Sequence, residues 1–137
     1  MLSSARFAVA IHALSVLAKN FGRGPVCSSF VASSVNTNPV VIRRLMGDLE
    51  RAQLVSSAAG RTGGFALGRA PERISLADIY QAVEGNGIFK IHKVDPNSKC
   101  PIAAMIGKII TPPLQDAEIA LQRSLATTSL KDVAQQL

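Results

Sequence analysis

The segment from Asn38 to Ala52 constrains the fold most, because it predicts a helix with one apolar and one basic side. Asn38 is a suitable N-cap, and Pro39 fits the first helical position, where its missing N–H would have no partner. A buried stripe at spacings of three and four is predicted to contain Ile42, Leu45, Met46 and Leu49. A different face carries Val40, Arg43, Arg44 and Gly47. This second face is a candidate for contact with a partner.

Two further helices are predicted before this segment. The first runs from about Ser3 to Asn20 and ends at the breakers Gly22 and Gly24-Pro25. The second, capped by Ser28 or Ser29, runs to about Val35. Its apolar side is expected to contain Phe30, Val31 and Val35. A four-residue turn then leads into the helix at Pro39, which is the spacing of a helix-turn-helix.

A β-hairpin is predicted directly after the three helices. Residues 54–57 and 65–67 have the composition of strands, and the glycine-rich link between them carries one positive charge, Arg61. Three helices followed by a hairpin are typical of a winged helix-turn-helix. We therefore expect a mainly α fold with a small β-hairpin wing and, further along the chain, a long C-terminal helix.

The C-terminal third is predicted to be helical with interruptions. Ser75 and Asp78 form a capping-box pattern ahead of a helix that ends at Gly85. Residues 86–100 show no sustained period, whereas a helical pattern runs from Pro101 onward. The pair Pro112-Pro113 either kinks this helix or separates two helices, because an interior proline removes a hydrogen bond. A last helical turn begins near Ser129.

The distribution of charge favours a polyanionic partner for the N-terminal part. The net charge is +6, and residues 1–80 hold nine Lys and Arg against four Asp and Glu, while residues 81–137 hold six against five. A solubilising surface is the alternative explanation. Aromatic residues make up 4% of the chain, which argues against a binder of RNA or single strands that depends on stacking.

Enzymatic, membrane and metal-binding functions are not indicated. Catalytic sets and a phosphate-binding glycine motif are missing from the sequence, and no apolar run approaches the length of a membrane span. The N-terminus does not have the form of a signal peptide, so we expect a cytoplasmic protein. Two cysteines are too few for a structural zinc site or a disulfide scaffold.

Several motifs together resemble the Rrf2 family of bacterial winged-helix regulators. The run NPVVIRRLMGDLERAQLVSS, the wing GRTGGF and the helix ISLADIYQAVEG carry the resemblance, and the N-terminal SARFAVAIHALSVLA is similar to the first helix of that family. Other segments (AVAIHALS, KCPI, SLKDV) resemble the YwnA-like subgroup, whose members lack the iron–sulphur cluster of other relatives.

The resemblance implies a homodimer that binds double-stranded DNA and represses transcription. The helix at Pro39 would enter the major groove and the wing the minor groove, with a pseudo-palindromic operator matching the two-fold axis. Residues 1–85 would form the DNA-binding domain, and residues 86–137 a linker and C-terminal dimerisation helices. The implied DNA contacts are Arg6, Ser28, Ser29, Asn38, Val40, Arg43, Arg44, Arg61, Thr62 and Gly63. The implied dimer interface contains Ile102, Met105, Ile106, Ile109, Leu114, Ala117 and Leu121.

The chain departs from its relatives in two places. Many relatives have an arginine where this chain has Ala59, so Arg61 is expected to take over the minor-groove contact. Cluster-binding relatives use three cysteines before the long helix, and only Cys100 matches one of them. We therefore expect no cluster and no other cofactor. Cys27 and Cys100 lie near predicted helix starts, so they are either redox-responsive thiols or inert ones. The effector is unknown, and the alternative function is a winged helix that binds proteins rather than DNA.

Overall fold

Three helices and a hairpin follow one another in the first half of the chain, as predicted. The computed structural model describes residues 5–137. The helices are α1 (Arg6–Lys19), α2 (Ser28–Val35) and α3 (Pro39–Arg51), and the hairpin pairs β1 (Val55–Ala58) with β2 (Gly64–Leu67). A short 3-10 turn (Pro71–Arg73) leads to α4 (Leu76–Val83), α5 (Pro101–Leu125) and α6 (Leu130–Ala134). The prediction of a mainly helical winged helix-turn-helix with a long C-terminal helix is confirmed.

The core lies where the helical periods predicted it. All four stripe residues of α3 are at most 3% exposed, and they pack with apolar residues of α1, α2 and α4. The buried contributions of these helices include Ala10, Leu14, Leu17, Val31, Ile79 and Val83. Packing this stripe inward turns the opposite face of α3 to the outside.

The wing is held against the body of the protein by an isolated β-bridge between Val26 and Phe65. Val26 and Phe65 exchange two backbone hydrogen bonds of 2.8 Å each, so the link between α1 and α2 extends the hairpin. Gly64 has φ +151°, and a Cβ at this position would lie 2.2 Å from the Val26 carbonyl oxygen. Only glycine permits this close approach. The wing therefore has a fixed base.

Two details of α2 differ from the predictions. Its N-cap is Cys27, not Ser28 or Ser29, because the extended backbone already ends at Cys27 and the helix begins at least one residue earlier than the serines suggested. Phe30 was expected on the apolar side but is 57% exposed, since Val31 and Ala32 fill the contact with the core. A helix of eight residues is too short for its hydrophobic period to define one buried face.

The helix α5 runs without a break through Pro112-Pro113. This settles the alternatives in favour of a single helix of 25 residues. Just before the prolines, the Thr111 hydroxyl donates a hydrogen bond to the Gly107 carbonyl. None of the 25 residues, all of which the structure describes, is buried.

The final helix α6 returns to the N-terminal core. Leu130 is fully buried there, and its N–H donates to the Ile74 carbonyl at 2.7 Å. Ser129 caps α6 in a capping box with Asp132, as Ser75 caps α4 with Asp78. Residues 130–134 thus pack with the unit that the sequence placed in residues 1–85. The division at residue 85 remains a prediction.

Candidate nucleic-acid interface

The outward face of α3 presents the residues predicted to contact DNA. Asn38 caps the helix, since its Oδ1 accepts a hydrogen bond from the Val40 N–H at 2.8 Å. Val40 is 46% exposed, and Arg43 and Arg44 are also exposed. A Cβ added at Gly47 would meet only the flexible Arg51 side chain, at 3.8 Å. The packing of the protein does not require glycine at position 47. Glycine nevertheless occupies it, at a cost of about 1 kcal/mol of helix stability relative to alanine.

The start of α2 lies beside this face. Arg43 Nη1 donates to Ser28 Oγ at 3.3 Å, which links α3 to the first residue of α2. Ser29 Oγ lies 3.2 Å from Cys27 Sγ. Free N–H groups at a helix start favour an anion. Ser28 and Arg43 are thus close enough to contact the same stretch of a polyanion.

A cluster of charges between α1 and α3 was not predicted. Asp48 forms ion pairs with Arg6 of α1 and with Arg51 of α3, and these side chains line a groove together with Arg43 and Arg44. One carboxylate therefore faces four guanidinium groups, which leaves the groove positively charged. The helical period could place Asp48 and Arg51 on one side of α3, but the approach of Arg6 depends on how α1 packs.

The tip of the wing displays the other predicted residues. The Gly63 N–H donates to the Gly60 carbonyl at 3.1 Å, which closes a turn with Arg61 and Thr62 at its centre. Arg61 and Thr62 are exposed. A Cβ at Gly63 would lie 2.2 Å from the Ala58 carbonyl oxygen, so glycine is required there by the turn itself.

Both cysteines are exposed, and each lies at the start of a helix. Cys27 precedes α2 and Cys100 precedes α5. Hydrogen bonds from the Ser29 hydroxyl and the Phe30 N–H hold the pKa of Cys27 below its ordinary value. Within residues 5–137 no three side chains of His, Cys, Asp or Glu are placed to hold a metal ion. The described residues therefore do not supply the ligands of a cluster.

The predicted dimer-interface residues divide into two groups. Those exposed on the outer side of α5 are Ile102, Met105, Ile109 and Ala117, with Ile102 at 69% and Ile109 at 62%. Those partly covered are Ile106, Leu114 and Leu121. Leu114 and Leu121 share a helix face with Glu118, which is hydrogen-bonded to Tyr80 of α4. The sequence did not single out either Glu118 or Tyr80 for this contact.

No helix in residues 5–137 is long and apolar enough to cross a membrane. The four arginines lie on α1 and α3, and the wing tip lies between β1 and β2. They belong to the elements that, in a winged helix-turn-helix, face duplex DNA.

Comparison with known proteins agrees with this arrangement. A protein of Bacillus subtilis that bears the name HTH-type transcriptional regulator YwnA is 38% identical over 135 residues, which cover 98% of each chain. A crystal structure described as a DNA-binding protein matches with a TM-score of 0.73 and 37% identity, over 93% of this chain and 97% of the other. CymR, described as the global cysteine regulator of B. subtilis, matches with a TM-score of 0.71 and 26% identity, over 98% and 97%.

The family model with the description "Rrf2: Iron-dependent Transcriptional regulator" matches residues 3–136. Iron is part of that description, but within residues 5–137 no group of three His, Cys, Asp or Glu side chains is placed to hold an iron ion. The matched region spans the helix-turn-helix, the wing and the long helix α5. The chain belongs to the Rrf2 family of transcriptional regulators, which are not enzymes.

Proposed function

We propose that two copies of this chain bind one duplex operator of approximate two-fold symmetry and repress transcription by occupying it. The observation that carries the proposal is the exposed, positively charged face of α3, with Arg43 and Arg44 next to the start of α2. Arginine can donate two hydrogen bonds to guanine O6 and N7, a pairing that contributes about 1–3 kcal/mol of discrimination. Val40 is suited to contact a thymine methyl group.

Contacts to the DNA backbone would surround these base contacts. Ser28 at the start of α2 contacts Arg43, and Arg6 at the start of α1 pairs with Asp48, so both lie beside α3. The wing tip carries Arg61 and Thr62 farther along the chain. We propose phosphate contacts for Arg6, Ser28 and Ser29, and minor-groove contacts for Arg61, Thr62 and Gly63. We propose that Asn38, whose side chain caps the start of α3, also lies close to the bases.

The outer side of α5 supports the homodimer. Ile102, Met105 and Ile109 are each at least 48% exposed and lie at spacings of three and four, so they form an apolar stripe on one side of the helix. None of the 25 residues of α5 is buried, so packing within the chain leaves this stripe open. Pairing with the same helix of a second copy would cover the stripe symmetrically.

The experiment that tests the proposal is binding of fluorescent duplexes, selected from a random pool, at several salt concentrations. A protein with 6–10 phosphate contacts is expected to lose about 10³–10⁵ in affinity between 50 and 200 mM salt. A scrambled duplex serves as the control for sequence preference, and transcription from a template carrying the selected site tests repression. If the protein binds no duplex at low salt, the alternative of a protein-binding winged helix is favoured instead.

The proposed function requires access to the chromosome and therefore a cytoplasmic location. The signal that releases the operator is a separate question. Cys27 precedes α2 at the DNA-facing side, so its oxidation or alkylation would place a new group beside Ser28 and Ser29. Cys100, directly ahead of α5, is the second candidate thiol.

A further inference from the structure

A carboxylate of the long helix α5 reaches a buried tyrosine of the DNA-binding core. The Tyr80 hydroxyl donates a hydrogen bond of 2.5 Å to Glu118 Oε1. Tyr80 is only 3% exposed. Burial, followed by the adjacent carboxylate, raises the pKa of Tyr80, so the hydroxyl remains a donor at neutral pH. One hydroxyl thus connects α4 with α5.

Neighbouring residues fix both members of the pair. The Phe7 ring of α1 meets the Tyr80 ring edge-on, with centroids 5.6 Å apart and planes at 75°. Gly87 has φ +76°, and a Cβ there would lie 3.2 Å from Glu118 Oε1. The turn after α4 therefore approaches the carboxylate closely enough to restrict its position. Elements from four parts of the chain converge on this hydrogen bond.

The chemistry of the pair indicates a geometric role rather than a stabilising one. Glu118 Oε2 is buried, and within residues 5–137 no donor reaches it. A buried acceptor without a partner costs free energy, so an apolar side chain would stabilise this contact more simply. A hydrogen bond, however, depends on direction as well as distance, whereas apolar contacts allow a helix to slide or rotate. Glu118 therefore restricts how α5 is placed.

We propose that Tyr80 and Glu118 are positioning residues that set the spacing between the two recognition helices of the dimer. This inference rests on the proposed function, because it assumes that α5 carries the dimer interface and α3 reads the DNA. The Tyr80 helix α4 packs against α3 and α1, while Glu118 belongs to α5. A change in the angle between α5 and α4 would move each α3 relative to the two-fold axis. The pair thereby determines which half-site separation the dimer accepts.

The test measures affinity for duplexes whose two half-sites are moved apart or together by one base pair. Each such step displaces a half-site by about 3.4 Å and rotates it by about a tenth of a turn. Wild-type protein is expected to prefer the selected spacing by about tenfold or more, a difference of about 1.4 kcal/mol. Tyr80→Phe removes only the hydroxyl. Glu118→Leu removes the carboxylate but keeps a side chain of similar volume, so an apolar contact replaces the hydrogen bond. Both variants are expected to reduce the preference to less than about threefold.

Glu118→Gln is the matched control. Its amide oxygen still accepts from Tyr80, and its N–H₂ group replaces the oxygen that has no donor, so we expect the spacing preference of the wild type.

Sedimentation and circular dichroism on every variant establish that it is a folded dimer, and Tyr80→Phe is decisive if Glu118→Leu does not fold. Folded Tyr80→Phe dimers with an unchanged spacing preference would overturn the positioning role alone. Loss of the dimer in Tyr80→Phe would also overturn it, since the pair would then act on assembly. If the wild type binds no duplex, the proposed function and this inference both fail.

Discussion

The backbone N–H of Leu130 donates to the carbonyl oxygen of Ile74 at 2.7 Å, which joins the last helix of the chain to the segment before α4. A second bond, from the Leu76 N–H to the Thr128 carbonyl at 2.9 Å, lies beside it. Both Leu130 and Ile74 are fully buried. The long helix α5 is therefore tied to the DNA-binding core at its C-terminal end as well as through Glu118.

Replacing Leu130 by alanine is expected to destabilise the whole protein. Removing a buried leucine side chain lowers the free energy of unfolding by about 2–5 kcal/mol, because transfer energy is lost and a cavity remains. Urea unfolding measures this change. Leu137→Ala is the control, since Leu137 is 70% exposed and its replacement is expected to cost less than about 0.5 kcal/mol. Equal effects of the two changes would show that α6 does not pack as described.

Placing a charge on the outer side of α5 is expected to separate the dimer without unfolding the subunit. Ile109 is 62% exposed in the single chain, so Ile109→Asp has little to disturb within it. Across a dimer interface, the same carboxylate would be desolvated without a partner, which costs several kcal/mol. Sedimentation velocity is expected to show monomers. Gln115→Asp adds the same charge at an exposed position of α5 off the apolar stripe and should remain dimeric. If Ile109→Asp stays dimeric, another surface holds the two copies.

Removing the Asp48 charge is expected to strengthen binding to unrelated DNA. Asp48 pairs with Arg6, for which a phosphate contact is already proposed, and with Arg51, which Asp48→Asn would allow to contact phosphate as well. One added phosphate contact, made by Arg51, would steepen the dependence of log affinity on log salt by about 1 unit. Anisotropy with a scrambled duplex measures this slope. Glu50→Gln is the control because it removes one charge from the same helix, where Glu50 accepts a hydrogen bond from Ser57. Identical slopes for both variants would exclude a specific role of Asp48.

Cys27 is expected to react as a thiolate at a lower pH than an ordinary cysteine. The Ser29 hydroxyl makes the largest contribution to the lowered pKa of Cys27, followed by the Phe30 N–H, since both donors stabilise the negative charge. The pH dependence of iodoacetamide alkylation in a Cys100→Ser background measures that pKa. Adding Ser29→Ala should move the midpoint of the profile to higher pH. A midpoint that does not respond to Ser29 would contradict the assigned cause.

The sequence predicted those parts of the fold that depend on local patterns. The period of Ile42, Leu45, Met46 and Leu49 and the cap at Asn38 gave α3 and its two faces, and the capping box at Ser75 gave the start of α4. The position of α6 depends on contacts between residues more than 50 apart, such as Leu130 and Ile74, and a local pattern carries no such information. For the same reason the sequence missed the Tyr80–Glu118 hydrogen bond and the approach of Arg6 to Asp48.

The exposure of Phe30 illustrates a different limit. Four apolar residues in eight positions allow more than one buried face, and the structure buries Val31 and Ala32 while Phe30 stays 57% exposed. The choice is made by α1 and α3, which pack against α2. The buried face of a short helix is thus set by its tertiary contacts and cannot be predicted from its own sequence.

The most direct test of the central claim is selection of duplexes from a random pool by wild-type protein and by the double variant Arg43→Ala, Arg44→Ala. Both arginines are exposed, so the variant should remain folded and dimeric. We expect the wild type to enrich a site with two inverted half-sites about one helical turn apart, and the variant to enrich none. Enrichment of the same site by the double variant would show that the outward face of α3 does not read the operator.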